Sequence, residues 1–167
     1  MNYSYLGISI TQLILFIIAC SLFPFYIKNS GQYIWGNISK RAKPVLYTTA
    51  SLALIAICYM IYYCSLNEIS DDYDISNKIL FSIYLFLVSM WIILLIFYKT
   101  YKTNLIYNLI KTVVILYAIC SIGLLVSVSS NNENNEDKIA ITAAFFMALQ
   151  AVVGDSIYWL INFPKLK

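Results

Sequence analysis

The feature that most constrains this chain is the rhythm of its hydropathy. Five long apolar stretches are separated by polar connections, and the charge of those connections reverses from one to the next. A helix needs about 20 mostly apolar residues to cross about 30 Å of hydrocarbon. The stretches run from about Tyr5 to Ile27, Val45 to Leu66, Ile79 to Tyr98, Leu105 to Val128 and Ile139 to Phe163. Each is long enough, so the expected fold class is all-α: a polytopic bundle of five transmembrane helices forming one membrane domain over residues 1–167. The Ser, Thr and Cys residues inside these stretches are no obstacle, because their side chains can bond back to helix carbonyls. Pro44 falls at the start of the second stretch, where a missing N–H costs nothing.

Composition closes off the alternatives. Of 167 residues, 61% are apolar and 11% charged, whereas an ordinary soluble domain has about 25% charged residues. One water-soluble core of this size could not hide so much apolar surface. A disordered chain and a nucleic-acid binder are excluded on the same ground, and no nucleic-acid partner is expected. The chain contains no histidine, which removes bis-histidine haem sites, histidine-ligated metals and Ser-His-Asp or Cys-His catalysis. Isoleucine, asparagine, lysine and tyrosine are abundant. All four have A/T-rich codons, which favours a source such as a large DNA virus, a protist or an organelle.

Orientation follows from the connections. The first carries Lys28, Lys40, Arg41 and Lys43; the second carries Glu68, Asp71, Asp72, Asp74 and Lys78. The third carries Lys99 and Lys102, and the fourth carries Glu133, Glu136, Asp137 and Lys138 in an Asn-rich run. The tail ends in Lys165 and Lys167. The positive-inside rule then predicts an N-terminus outside and a C-terminus in the cytoplasm, as an odd number of spans requires. Tyr3, Tyr5, Tyr62, Tyr63 and Tyr84 fall near the outer interface. Tyr26, Tyr33, Trp35, Tyr47, Tyr98, Tyr101, Tyr107, Tyr158 and Trp159 fall near the inner one, where amphipathic rings favour headgroup depth. The first stretch lacks a basic leader and is too long for a cleaved signal peptide, so it reads as a signal-anchor helix. The expected location is an integral membrane position in a host, viral or organellar membrane.

Several local patterns resemble chemistry and fail on spacing. The Asp71–Ser76 segment lacks the turn glycine and the bidentate glutamate of an EF-hand, and it misses the two-plus-one aspartate pattern of prenyl transfer. It reads as a solvated acidic loop. Cys20, Cys58, Cys64 and Cys120 all lie within spans and form no C-x-x-C pair, so they read as small apolar residues. Asn2-Tyr3-Ser4 and Asn37-Ile38-Ser39 match the glycosylation sequon, but the first is close to the bilayer and the second faces inward. Five spans at this length are also found in a small core subunit of respiratory complex I and in the translocator-protein family. The glycine-bearing motif of the first and the Trp/Pro-rich segments of the second are absent, so no residue roles carry over.

The fifth stretch is the most informative. Ala140, Ala144, Ala148, Ala151 and Asp155 are spaced 4, 4, 3 and 4 residues apart and share one helix face. Small residues on such a face admit a second helix at close range. The stripe ends in Asp155, the single acidic residue inside these stretches, and an intramembrane carboxylate is a candidate functional group by default. Lys111 in the fourth stretch lies at an estimated depth within about 3 Å of it, so a Lys111–Asp155 ion pair is a geometric candidate. Three readings follow: a structural pair pinning two helices, a titrating or cation-binding Asp155 aided by Gln150, or two charges snorkelling to the inner interface. Gln12 and Gln150 are the other strongly polar side chains well inside the stretches and make a sparse candidate polar path.

No nucleophile–base pair, metal-ligand set or potassium-filter sequence can be assembled from these residues. A loose match between the Val45 and Ile115 segments is not kept up by the spans that follow. The expectation is a non-enzymatic multi-pass membrane protein without cofactor or metal. It would act as a structural or assembly subunit and contact lipid and other membrane proteins or further copies of itself. The alternative is a small proton or cation transporter or channel subunit that uses Asp155.

Overall fold

The computed structural model describes residues 11–22, 38–66, 72–130 and 135–163. Helix α1 spans Thr11–Leu22. Helix α2 spans Ala42–Leu66, α3 spans Asp72–Tyr101 and α4 spans Asn104–Ser129. Helix α5 runs from Asn135 to Asn162; its first part, Asn135–Leu149, is α-helical and its second, Gln150–Trp159, is π-helical. No strand occurs among the described residues. Four helices, α2 to α5, are long and apolar enough to cross a membrane, and α1 is a shorter apolar helix. The chain is a multi-pass helical membrane bundle.

The helices outrun the apolar stretches that predict them. Helix α3 begins seven residues before Ile79, and α5 begins four residues before Ile139. Polar flanks such as Asn135, Glu136 and Asp137 continue the helix because acidic residues in a first turn complement the helix dipole. Asp137, which its sequence neighbourhood assigns to a loop, is therefore helical, and it is buried. The first expected span, Tyr5–Ile27, is helical over Thr11–Leu22, and its remainder lies outside the described residues. So do Tyr3, Tyr26, Tyr33, Trp35, Asp71, the Asn2 sequon and the Lys165–Lys167 tail.

Two residues, Lys102 and Thr103, separate α3 from α4. Lys102 takes φ 47°, in the left-handed region that ends helices. The Thr103 hydroxyl oxygen then accepts the Ile106 N–H at 3.3 Å and starts α4. So tight a link forces α3 and α4 to pack as antiparallel neighbours, and they form the most extensive helix pair. The buried face of α4 is Ile110, Val114, Tyr117, Ala118, Ser121, Leu124 and Val128, spaced by threes and fours as one helical stripe requires. The first part of α5 packs chiefly against α2 and α4. Its contact face is the alanine stripe: Ala140, Ala144, Ala148 and Ala151 are all buried. The stripe thus serves the bundle's own interior.

Two tyrosines of α2 lock it to the start of α5. The Tyr63 hydroxyl donates to Asp137 Oδ1 at 2.9 Å, and the Tyr59 hydroxyl donates to the Glu136 carbonyl at 3.1 Å. Tyr63, Tyr84, Tyr98 and Trp159, expected near the interfaces, are buried within the bundle. Their rings are part of the hydrophobic core.

Candidate functional site

The π-helical part of α5 creates the site. In an α-helix, side chains five residues apart point about 140° away from each other. A π-helix closes its ring at i+5, which stacks those side chains on one side. Gln150 and Asp155 are five residues apart, and the Gln150 Nε2 donates to Asp155 Oδ1 at 2.9 Å. The same spacing lets the Ser156 hydroxyl reach the Ala151 carbonyl at 2.8 Å, and the Leu160 N–H bonds to the Asp155 carbonyl. Gly154 makes room for this arrangement. A Cβ at that position would stand 2.7 Å from Gln150 Nε2 and 2.8 Å from its Oε1.

Neighbouring helices complete the enclosure. Tyr84 of α3 and Tyr117 of α4, both buried, face the Asp155 carboxylate, and their rings meet edge to face at 6.1 Å. Two buried polar atoms here have no hydrogen-bond partner: the Tyr117 hydroxyl and Gln150 Oε1. The Tyr117 hydroxyl therefore stands beside the carboxylate without bonding it in good geometry. A ladder of rings closes the site on one side. Trp91 meets Tyr117 at 6.1 Å and Trp159 at 5.5 Å, and Trp159 stacks on Phe163 at 4.3 Å. Tyr98 and Tyr107 pack on Phe163 beyond it.

Lys111 does not join Asp155. Its ammonium sits 4.5 Å from the centroid of the Tyr107 ring, one turn back on its own helix. The reason is register. Ser156 Oγ lies 3.4 Å from the Val114 carbonyl, which sets Asp155 roughly level with Ile115. Lys111 is then about 6 Å further along the axis, roughly level with Trp159. The predicted ion pair is thus replaced by two separate arrangements, a carboxylate on an amide and an ammonium on an aromatic face. No known family, curated protein or solved structure matches this chain.

Of the residues singled out from sequence, Asp155 and Gln150 come together, and the alanine stripe runs to their threshold. Gln12 lies on α1 with its Oε1 buried and unbonded, and among the described residues it makes no bond to Asp155. Sequence reasoning missed Tyr84 and Tyr117, because tyrosine is common throughout the chain and carries no special spacing. It also missed Asn77, whose buried side-chain amide has neither atom bonded. Cys20, Cys58, Cys64 and Cys120 form no disulfide among the described residues.

Proposed function

We propose that this chain is a non-enzymatic structural or assembly subunit of a membrane complex, with its N-terminus outside and its C-terminus in the cytoplasm. Charge alternation between connections supports the orientation. The carrying observation for the subunit role is the cover on α2. It is the least buried of the four long helices and touches α3 only slightly. Its exposed residues Thr48, Ser51, Ile55, Cys58 and Tyr62 repeat at 3, 4, 3 and 4 residues, the period of a helix-packing seam. Thr48 and Ser51 turn their hydroxyls onto carbonyls of their own helix, so the seam is smooth and apolar. Such a face accepts another transmembrane helix as readily as lipid. The isoleucine-, asparagine-, lysine- and tyrosine-rich composition favours a viral or organellar membrane as the setting.

Cys58 provides the test, since it is exposed on this seam. Oxidative cross-linking in native membranes should give one discrete larger species, lost in Cys58→Ser. A chain that purifies alone in mild detergent and forms no cross-link overturns the reading. A second reading, a small proton or cation transporter or channel subunit, is favoured by the Gln150–Asp155 bond inside the bundle. Loss of flux from reconstituted vesicles in Asp155→Asn would support it, and absence of flux in the unaltered chain would remove it.

A further inference from the structure

We propose that Asp155, Gln150 and Tyr117 form a proton-binding site within the membrane domain. The site deepens the second reading by naming its ligand, yet it stands without transport and without a partner subunit. The inference rests on an imbalance of donors. Gln150 spends its N–H on Asp155 Oδ1 and keeps a buried carbonyl oxygen with no donor. The Tyr117 oxygen, also buried, has no partner either. A carboxylate supplies acceptors only, whereas a carboxylic acid supplies one donor. Protonation therefore adds a donor beside the Gln150 carbonyl oxygen, the acceptor that lacks one, and the Tyr117 hydroxyl, which carries its own hydrogen, can accept it as well. The proton comes from water, and the new O–H donates to Gln150 Oε1 or to the Tyr117 oxygen. At the same time it removes a charge that no cation among the described residues faces.

The surroundings exclude the obvious competitors. Among the described residues, the titratable groups facing Asp155 are Tyr84 from α3 and Tyr117 from α4. Lys111 of α4 is turned onto Tyr107. Helix α2 also packs on the π segment, and at that end it carries Lys43 and an exposed Tyr47. A metal cation is poorly served. Hard cations take about six or more oxygens, and here Gln150 presents an N–H to the carboxylate while the Ser156 hydroxyl is engaged with the Ala151 carbonyl. Among the described residues no three Cys, Asp or Glu side chains converge to hold a metal. A proton needs one acceptor and one neighbour, and both are present.

Infrared difference spectroscopy on the full chain in lipid vesicles tests this directly. The expected result is a carboxylic-acid C=O band that fades as pH rises. It should vanish in Asp155→Asn, change frequency in Gln150→Leu and Tyr117→Phe, and persist in Asp137→Asn. If Asp155→Asn fails to fold, Asp155→Glu should shift the band in a bundle whose circular dichroism is unchanged. Absence of an Asp155-dependent band overturns the site, as does a band insensitive to pH throughout the folded range. Sodium, potassium or calcium chloride that saturably abolishes the band at fixed pH would assign the site to a metal cation instead. A vesicle preparation with the titrating band and no flux keeps the proton site and removes transport.

Discussion

Asp137 and Asp155 stand near opposite ends of α5, and the bundle treats them differently. Asp137 is buried in regular α-helix and receives a hydroxyl hydrogen bond from Tyr63 of another helix. Asp155 lies in the π-helical part and receives its bond from Gln150 of the same helix, while the facing tyrosine on α4 leaves its hydroxyl unbonded. The first arrangement ties two helices together and is complete as it stands. The second ties the helix to itself and leaves bonding capacity unused. Buried polar groups are nearly always satisfied, so the unbonded Gln150 carbonyl oxygen and Tyr117 hydroxyl beside Asp155 are where the proposed proton would make its bond. Placing a carboxylate in a membrane helix is therefore not one kind of event. Its consequence depends on whether a neighbouring helix completes the bonding.

The largest test of this contrast removes the wall beside Asp155. Trp159 is buried between Trp91 and Phe163. Trp159→Ala should destabilise the bundle by about 3–5 kcal/mol, read as thermal unfolding in detergent. It should also admit water to Asp155 and broaden its carboxyl band. A variant with unfolding unchanged would show that the ring ladder does not hold this half of α5. Next in size is Ala144→Leu, which overfills the buried stripe in the regular half and should cost about 1–3 kcal/mol. The Asp155 band should stay put, because the disturbance lies more than two turns away. A shifted band would mean that the two halves of α5 respond as one unit.

A matched pair of changes sharpens the comparison further. Tyr63→Phe and Tyr117→Phe delete the same atom beside the two carboxylates. Tyr63→Phe removes a donor to a buried carboxylate and should cost about 2 kcal/mol. Tyr117→Phe removes a hydroxyl that has no partner, so stability should hold or rise slightly while the Asp155 band moves. Equal losses in both would collapse the distinction between latch and responsive site. Smaller again, Lys111→Met should cost about 0.5–1 kcal/mol through the lost Tyr107 contact and leave the Asp155 band untouched. Recovery of stability by exchanging Lys111 and Asp155 would restore the ion pair that the register rules out.

Hydropathy made the four long helices legible, since lipid demands about 20 apolar residues whatever the fold. It also isolated Asp155, because one carboxylate in an apolar run is visible at once. Spacing made the alanine stripe legible, though not its partner: a small face says that something approaches closely, and here α2 and α4 of the same chain do so. The Gln150–Asp155 bond was half legible. Both residues stood out, but α-helical periodicity turns them apart, and hydropathy does not record a change of helix type. The burial of Tyr63 and Tyr84 was not legible for a related reason. Interfacial depth and burial in the bundle draw on the same amphipathic ring, and a single sequence does not say which one a tyrosine serves. Depth alone also suggested the Lys111 pairing, whereas the axial register set near Ser156 and Val114 decides against it.

A substitution whose effects on stability partly cancel tests the proton site most selectively. Gly154 touches neither Tyr117 nor the carboxylate in any bond, yet its missing Cβ leaves the space that the Gln150 amide occupies. Gly154→Ala would bring a methyl group within 2.8 Å of the Gln150 amide group. That amide is the free end of a flexible side chain, so it swings aside and the backbone need not move. The helix gains about 0.5–1 kcal/mol from replacing glycine, and it loses about 1–3 kcal/mol from the bond to Asp155. The net change is therefore a cost of about 0–2.5 kcal/mol, read as a lowered unfolding temperature. The carboxyl band, by contrast, should move as far as it does in Gln150→Leu, although Gln150 itself is intact. If Gly154→Ala leaves the band where it was, the amide is not what holds the proton at Asp155, and Asp155 would then differ from Asp137 only in lacking a cross-helix partner.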